Sequence, residues 1–403
     1  MTPTTGNAAL LRKVNESAVL KLLREEGPFA RAEIARQLHL SPPTITRIVA
    51  DLIEGRLVLE REASDSTGGR PPTLIEFNAQ AGSVVGVYIG QQMTGALANL
   101  SGRVLARRSK DSLTGDAGVQ QLLTLVADLL EEANRRGVPV RGVAVGAPSI
   151  VLFPQGVVVW SPTLGWQNLA LKDILTERLG VPVFIENEVN LIALGESWRG
   201  AGRGLENLAC ISLGGGIGAG LILNGRLYRG AGSAAGEIGY MIPSQRLLSQ
   251  EYDTFGCLEG IAGSLGIINR AQERIRAGEM SLLHDEGNNG AEPHSLTVSQ
   301  VLEAAREQDS LACAVVSETV DYLSVAIANL ACLIAPERII ISGELAEYGD
   351  LFIEPIRQRL QGLIPHTPDI VVSELKLDAV ILGAVAVALR ETSDALFVQP
   401  SQA

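Results

Sequence analysis

Two stretches of the chain combine strand-like runs with glycine turns, which let backbone amides approach a phosphate. The first is GVYIGQQMTGALANLSGRV at residues 86–104, where a glycine-containing turn joins two strands and Leu100-Ser101-Gly102 closes the unit. The second is LENLACISLGGGIGAGLILNGRLYRG at residues 205–230, with turns at Gly214-Gly215-Gly216 and Asn224-Gly225. Glycine-rich runs alone indicate a nucleotide site only weakly, so the other chemistry-bearing residues must decide.

Polar side chains at the start of a short helix form another candidate site. In SPPTITRIVADLIEGRLV, residues 41–58, Ser41 is a natural N-cap, prolines are tolerated at the first helical positions, and apolar residues repeat at helical spacing. A preceding helix from about Arg31 to Leu38 completes a helix-turn-helix pattern, whose second helix enters the major groove in DNA-binding proteins. The predicted DNA contacts are Ser41, Thr44, Thr46 and Arg47.

A hairpin wing is predicted next, with strands at Leu57–Arg61 and Thr73–Phe77. Its tip carries Gly68, Gly69 and Arg70. A flexible glycine turn with one guanidinium suits a narrow minor groove, where the negative potential is enhanced. The pattern therefore predicts a winged helix that binds DNA. The alternative is a small three-helix packing unit with no DNA contact.

Composition describes a globular chain with an uneven charge. The 403 residues are 46% hydrophobic and 19% charged, enough for real cores in more than one domain. Residues 1–80 carry ten basic and ten acidic residues, so the whole net charge of −12 falls on the rest, which argues against nucleic-acid binding there. The four scattered cysteines indicate no disulfide framework. Without a signal peptide or an uncharged apolar run of 18 residues, we expect a cytoplasmic protein with no membrane partner.

The pattern changes near residues 78–82, which predicts a DNA-binding domain at residues 1–80 and a body at residues 81–403. From Ser83–Gly90 onward strands and helices alternate, so the body is expected to be α/β. The predicted strands are Gly142–Val145, Val183–Ile185 and Leu208–Leu213, and the predicted helices are Leu169–Leu179 and Glu188–Arg199.

The body resembles the ROK family of sugar kinases and sugar-responsive repressors over nearly all of residues 83–393. The matching stretches are GVYIGQQMTGALANLSGRV, VAVGAPSIV, SPTLGWQNL, FIENEVNLIALGE, ISLGGGIGAGLILNGRLYRGAGSAAGEIGYM and IIISGELAEYGDLFIEPI. The resemblance implies an actin- and hexokinase-like (RNase H-like) fold of two α/β lobes with a sugar cleft between them. A winged helix with a GGRPP wing ahead of such a body is similar to the repressor branch of the family.

Departures from the kinase pattern predict that ATP use is lost. Tyr88 stands where kinases of the family carry Asp, Gln91 and Gln92 replace Gly and Thr, and Glu344 replaces a glycine. The family's catalytic base is the Asp of a Glu-Asn-Asp motif, where this chain has Glu186-Asn187-Glu188. Glu188 is one methylene longer than that base, a displacement that catalysis tolerates poorly. It could still bind a sugar hydroxyl, and the alternative is an acid that only stabilises a helix start.

Zinc is also expected to be absent. The family's site uses a His and three cysteines, whereas this chain has Tyr240 at the His position and only Cys257 nearby. We predict no metal and no cofactor. Tyr252 and Phe255 are predicted to replace the metal as a hydrophobic staple.

The sugar-binding side chains implied by the resemblance survive in part. They are Asn187, Glu188, Glu237, Tyr240 and Glu259, with Tyr240 in place of a sugar-binding His. Amides and carboxylates suit vicinal hydroxyls because they donate or accept hydrogen bonds in pairs. The alternatives are a helix-start acid for Glu237 and a solvated surface residue for Glu259.

The sequence as a whole predicts a transcriptional regulator, a repressor and not an enzyme, whose partners are operator DNA and a sugar or sugar derivative. One recognition helix contacts too few bases for useful specificity, so a homodimer or a tetramer is expected. Two alternatives stay open. One is an active ATP-dependent sugar kinase with an accessory head, and the other is a constitutive DNA-binding protein with a vestigial pocket.

Overall fold

The computed structural model of the protein describes residues 8–62, 73–248, 256–284 and 296–392. The chain forms two compact units. The first comprises the chain up to Ala147, Pro154–Glu186 and the chain from Ala384, and the second comprises Pro148–Phe153 and Asn187–Gly383. Each unit contains a five-stranded sheet.

The first unit begins with a three-helix head and a small sheet. Its elements are α1 (Ala8–Glu25), β1 (Phe29–Ala30), α2 (Arg31–Gln37), α3 (Pro42–Glu54), β2 (Val58–Glu62) and β3 (Thr73–Phe77). The strands pair antiparallel in the order β1-β3-β2. The predicted winged helix-turn-helix fold is confirmed, and α3 buries the expected residues Ile45, Ile48, Val49 and Leu52. Strand β1 was not predicted, because two residues are too few to show an alternating pattern.

An α/β lobe makes up the rest of the first unit. In chain order the elements from residue 83 to 187 are β4 (Ser83–Ile89), β5 (Gln92–Asn99), β6 (Val104–Asp111), α4 (Gly115–Arg135), β7 (Val140–Ala147), β8 (Ile150–Leu152), β9 (Val157–Ser161), β10 (Trp166–Leu169), α5 (Leu171–Leu179) and β11 (Val183–Asn187). Strand β8 belongs to the second unit. The sheet order is β11-β7-β4-β5-β6, with β4 parallel to β7 and antiparallel to β5.

Close packing of α4 on this sheet depends on a glycine. A Cβ atom on Gly95 of β5 would lie 2.7 Å from Leu125 Cδ2 and 2.8 Å from Leu129 Cδ1. Both leucines are fully buried. The missing side chain therefore lets the apolar face of α4 reach the strand directly.

The second unit carries the other sheet and most of the helices. Its remaining elements are α6 (Glu188–Arg199), β12 (Leu208–Leu213), β13 (Ile217–Leu223), β14 (Arg226–Tyr228), α7 (Cys257–Ala262), α8 (Ser264–Arg276), α9 (Val298–Arg306), α10 (Ser310–Ile334), β15 (Arg338–Ser342), α11 (Gly349–Leu360), β16 (Asp369–Val372) and α12 (Asp378–Glu391), which continues into the first unit. The sheet order is β14-β13-β12-β15-β16, with β12, β15 and β16 parallel. Both predicted glycine hairpins and the predicted α/β class are confirmed.

Helix α10 is long and apolar enough to span a membrane by length and composition. More than half of its most apolar window, 56%, is buried inside the protein. Residues such as Leu311, Val315 and Leu323 belong to the core of the second unit. Burial in that core accounts for the composition of the helix without a membrane.

Candidate effector site and DNA-binding surface

Asn187 links the start of α6 to the segment before β8. Its Oδ1 accepts hydrogen bonds from the backbone N–H of Val189 at 2.7 Å and of Asn190 at 3.3 Å, which makes it the N-cap of the helix. Its Nδ2 donates to the carbonyl of Ser149 at 2.9 Å. Glu188 is the first residue of the helix and is half-buried. Asn187, which is predicted to bind the sugar, therefore also stabilises the start of α6.

Glycines let the first turn of α6 pack against β13. A Cβ atom on Gly218 would lie 3.2 Å from Val189 Cγ2. One on Gly220 would lie 2.7 Å from the Cβ of Ala193. Because neither glycine has a side chain, the helix that carries Asn187 and Glu188 lies directly on the strand that begins at Ile217.

Glu259 holds the beginning of that same strand. Its Oε2 accepts a hydrogen bond from the backbone N–H of Ile217 at 2.8 Å. A Cβ atom on Gly239 would lie 3.0 Å from this oxygen, and one on Gly216 would lie 3.4 Å from it. The carboxylate therefore lies between the second glycine turn and the short 3-10 helix Ile238–Tyr240. Glu259 is half-buried, so it is not a freely solvated surface residue.

Glu237 and Tyr240 share the electrostatic environment of Glu259. Burial raises the pKa of the Glu237 carboxyl, and the charge of Glu259 raises it further. Burial also raises the pKa of Glu259, against the opposing effect of the Ile217 hydrogen bond. The pKa of the Tyr240 phenol is raised by partial burial and then by both carboxylates. The charges that raise the pKa of Glu237 and the pKa of Tyr240 are those of neighbouring carboxylates.

The arrangement can accept hydrogen bonds from a polyhydroxylated ligand. The structure brings Glu237, Tyr240 and Glu259 together, and the packing of α6 on β13 places Asn187 and Glu188 on a neighbouring element. Tyr240 has 57% of its surface exposed, so its phenol is accessible. Half-buried carboxylates next to an accessible phenol are suitable partners for sugar hydroxyls.

The ring of Tyr88 fills the first glycine turn, which joins β4 to β5. A Cβ atom on Gly90 would lie 2.6 Å from Cε1 and 2.7 Å from the hydroxyl oxygen of Tyr88. The ring of Tyr88 therefore covers the turn where backbone amides would approach a phosphate. Gln92 Nε2 donates to Asp111 Oδ1 at 3.1 Å, which ties this side chain to β6. These residues do not fit a nucleotide phosphate.

The second glycine turn faces a carboxylate. Oε2 of Glu344 accepts a hydrogen bond from the hydroxyl of Ser264 at 3.2 Å, and a Cβ atom on Gly214 would lie 3.3 Å from Glu344 Cβ. The backbone N–H of Ser264 donates to the carbonyl of Gly214 at 2.9 Å. A negative side chain at this turn would repel the phosphates of a nucleotide. The donor set at neither turn supports a phosphoryl-transfer step.

The residues at the family's zinc position do not fit the metal. Tyr240 offers a phenol in place of an imidazole, and Cys257 is a single buried thiol at the start of α7. No group of three or more His, Cys, Asp or Glu residues in the described ranges could hold a metal ion. The predicted staple residues Tyr252 and Phe255 lie outside the described residues.

On the head, hydroxyl groups at the start of α3 stabilise the helix. Ser41 Oγ accepts from the backbone N–H of Thr44 at 3.3 Å and lies 2.8 Å from Thr44 Oγ1. The hydroxyl of Thr46 donates to the carbonyl of Pro42 at 2.9 Å. Arg47 is exposed, and the described part of the chain gives it no ion pair. The predicted wing contacts Gly68, Gly69 and Arg70 lie outside the described residues.

Two features of the site region were not predicted. The first is the hydrogen bond from Asn187 to the carbonyl of Ser149. Because the acceptor is a backbone group, the type of residue at position 149 does not indicate it. Glu196 is completely buried and accepts hydrogen bonds from the N–H of Ala201, the hydroxyl of Ser373 and the N–H of Leu375. The helical spacing of the sequence, which places Glu196 on the buried face of α6 two turns beyond Glu188, could have indicated that this acid is buried.

Comparison with known proteins defines the class. Residues 84–391 match the ROK family, and residues 14–58 match a winged helix-turn-helix DNA-binding family. The chain therefore belongs to the ROK family and combines its sugar-kinase-like body with a winged helix-turn-helix head. Neither match covers residues 59–83, so the predicted domain boundary at residue 80 stays a prediction.

Repressors match the full length of the chain. The xylose repressor of Caldicellulosiruptor bescii is 29% identical over 395 residues, which cover 96% of this chain and 98% of the repressor. An N-acetylglucosamine repressor of Escherichia coli is 29% identical over 98% of this chain and 97% of its own length. The crystal structure of a ROK family transcriptional regulator, a homologue of the E. coli MLC protein, superimposes with a TM-score of 0.82 at 27% identity, covering 96% of this chain and 98% of that one.

A glucokinase matches a smaller share of the chain. The glucokinase of Halalkalibacterium halodurans is 37% identical over 232 residues, 57% of this chain and 69% of the kinase. The similarity that covers 96% or more of the chain is to repressors and to a transcriptional regulator.

Proposed function

We propose that the protein is a transcriptional repressor whose affinity for operator DNA is controlled by a sugar or sugar derivative. The observation that carries this proposal is a difference between two parts of the body, the candidate sugar-binding residues and the two glycine turns. The candidate hydroxyl-binding group of Glu237, Tyr240 and Glu259 is retained, whereas Tyr88 covers one phosphate-type turn and Glu344 faces the other. A site that binds a sugar without an ATP site beside it suits sensing and does not suit phosphorylation.

The sugar-binding residues in this proposal are Asn187, Glu188, Glu237, Tyr240 and Glu259. Xylose and N-acetylglucosamine, which appear in the names of the similar repressors, are the first sugars to test. Because Glu237 and Glu259 are neighbouring half-buried carboxyl groups, a ligand with hydroxyl donors is favoured.

The head is proposed to place α3 in the major groove. Arg47 is the exposed cation of this helix, while the hydroxyls of Ser41, Thr44 and Thr46 hold its first turn and remain candidates for phosphate or base contacts. Two heads on adjacent half-sites are needed for useful specificity, so a homodimer in the cytoplasm, or a tetramer built from two dimers, is part of the proposal.

One experiment tests the proposal as a whole. The full-length protein would be used to select duplexes from a randomised DNA library, and binding to the selected duplex would be followed by fluorescence anisotropy with and without xylose, N-acetylglucosamine and glucose. We expect one sugar to change the affinity by about 5- to 150-fold, the usual size of an allosteric coupling. By linkage, the duplex must change the affinity for that sugar by the same factor.

The two alternatives give different outcomes in the same experiment. A constitutive DNA-binding protein would select a duplex and bind it equally with and without every sugar in a broad carbohydrate panel. A sugar kinase would release ADP from ATP in the presence of its sugar. Failure to select any duplex would contradict the DNA-binding part of the proposal.

A further inference from the structure

The segment between the head and the lobe of the first unit is bound to the head by hydrogen bonds. Asn78 Nδ2 donates to the carbonyl of Arg56 at 2.8 Å, and the backbone N–H of Asn78 donates to the carbonyl of Leu57 at 2.9 Å. Asn78 also orders the residues that follow it, because its Oδ1 accepts from the N–H of Gln80 at 3.1 Å and its carbonyl accepts from the N–H of Ala81 at 3.1 Å. The linker of residues 78–83 is therefore an ordered connection.

The same linker is bound to the lobe on its other side. The N–H of Leu100 donates to the carbonyl of Ala79 at 3.0 Å, and the N–H of Ser83 donates to the carbonyl of Pro139 at 2.8 Å. The guanidinium of Arg141 donates to the carbonyl of Ala81, with Nη2 at 3.5 Å from the oxygen. Arg141 is the side chain that contacts the middle of the linker from β7.

Arg141 lies along the backbone at Gly82. A Cβ atom on Gly82 would lie 2.6 Å from Nε, 3.3 Å from Cδ and 3.4 Å from Cγ of Arg141. The φ angle of Gly82 is not in the positive range, so its backbone does not itself demand glycine. The requirement is steric, because any larger residue must displace the Arg141 side chain. Burial lowers the pKa of Arg141, in keeping with a guanidinium that is partly withdrawn from water.

Strand β7 connects this contact with the candidate effector site along the chain. Arg141 is the second residue of β7, and Ala147, where the strand ends, lies about 20 Å further along at the usual rise per residue. The chain continues directly into Pro148 and Ser149, and the Ser149 carbonyl accepts the hydrogen bond from Asn187 Nδ2. A displacement of Asn187 on ligand binding would therefore act on the segment into which β7 runs.

We propose that Arg141 is a positioning residue for DNA recognition, which fixes the linker at Gly82 and so transmits the state of the effector site to the head. The proposal rests on the proposed function for its sugar-dependent part. Its structural part, that Arg141 orders the linker and the head, is independent of any sugar.

Two substitutions remove the same contact from opposite sides. Arg141→Ala deletes the side chain, and Gly82→Ala displaces it, so both should have the same effect and the double variant should be no worse than either single one. Arg141→Lys keeps a cation and an aliphatic stem and should restore part of the wild-type behaviour. Arg178→Ala, at an exposed position of α5, is the matched control.

The first measurement is amide hydrogen exchange of residues 78–83 in the full-length protein without sugar. We expect the exchange rate to rise about tenfold or more in both single variants, because loss of the Arg141 contact lowers the free energy of local opening of the linker. Affinity for the selected duplex should fall about threefold or more, since binding must then order the head. Unchanged exchange, or additive effects in the double variant, would overturn the proposal.

The second measurement is the response of duplex binding to xylose, N-acetylglucosamine and glucose. In Arg141→Ala and Gly82→Ala the response should fall to near unity, while the thermal shift that the same sugar produces stays as in the wild type. A wild-type response in a variant with a loosened linker would refute transmission through Arg141. If no sugar changes the duplex affinity of the wild type, the result counts against the proposed function. The hydrogen exchange and the duplex affinity without sugar then still decide whether Arg141 positions the head.

Discussion

The carboxylate of Glu259 and the backbone N–H of Ile217 are joined by a 2.8 Å hydrogen bond, so the side chain of one helix holds the first residue after the triple-glycine turn. Only one oxygen of the carboxylate makes this bond. Among the described residues none donates to the other oxygen, which can therefore accept a hydroxyl hydrogen from a ligand. Glu259 can therefore shape the site and bind the ligand at the same time.

Glu259→Gln and Glu237→Gln should abolish the sugar response of the protein. Each removes a charged acceptor for a hydroxyl, and a hydrogen bond to a charged group contributes about 1.5–3 kcal/mol. Affinity for the operator without sugar should be nearly unchanged. Anisotropy titrations with and without sugar would measure both, with the exposed acid Glu177 replaced by Gln as the control. If both variants respond like the wild type, the site assignment is wrong.

The same two acids should make stability depend on pH. Their pKa values are raised above the ordinary value of 4.5, so the folded protein binds these protons more tightly than the unfolded chain does. Their contribution to the free energy of unfolding is then most favourable below pH 4.5 and declines as the pH rises through the raised values. Glu237→Gln should melt at a higher temperature than the wild type at pH 7, with a smaller difference at pH 4. An equal difference at both pH values would contradict this prediction.

Sugar-dependent ADP release should be no greater for the wild type than for Glu188→Ala. Tyr88 covers the turn at Gly90, and Glu344 places a negative charge at Gly214. A coupled assay with ATP, magnesium and a panel of hexoses and pentoses would measure the rate. Turnover of any sugar well above the Glu188→Ala background would revive the kinase alternative.

Arg47→Ala should weaken binding to the selected duplex by about 1–3 kcal/mol and relax the preference at one base position, if the guanidinium reads a base edge. Arg70→Ala should act mainly on duplexes with A·T-rich flanks, where a narrow minor groove rewards the charge. Competition binding with single-base variants of the duplex would separate these effects. Equal losses on all sequences would mean that both residues contact only phosphates.

Glu196→Ala should destabilise the second unit by about 3 kcal/mol or more, because buried donors that lose their acceptor keep their desolvation cost. The N–H groups of Ala201 and Leu375 and the hydroxyl of Ser373 would lose this partner. Urea unfolding would measure the change. Glu206→Ala should have a much smaller effect, because this side chain is exposed and the hydrogen bond to Glu337 is donated by the backbone N–H, which the substitution keeps.

The glycine turns and the helical periodicity of the sequence predicted much of this fold. The helix Glu188–Arg199 and the strand Leu208–Leu213 have the predicted limits. The winged helix is predicted from Ser41, the apolar spacing of α3 and the two strands that flank the glycine loop. These features depend on local sequence. Strand β1 depends on a partner strand far along the chain, and so it was missed.

The site was predictable as a set of residue types and less so as a set of contacts. Glu237, Tyr240 and Glu259 lie in one electrostatic environment, as their assignment to one site requires. The capping role of Asn187 and its bond to Ser149 were not predicted, because an asparagine that caps a helix and one that binds a sugar look alike in sequence. The contact of Arg141 with Gly82 joins residues from separate segments, and no local pattern indicates it.

Gly90 has a steric role in this chain that does not involve a nucleotide. In this chain any side chain at position 90 would collide with the ring of Tyr88. Glycine at this position is therefore required by the neighbouring ring and not by a nucleotide. A glycine in this turn is by that reasoning no evidence of kinase activity, because the same residue serves an aromatic neighbour as well as a phosphate.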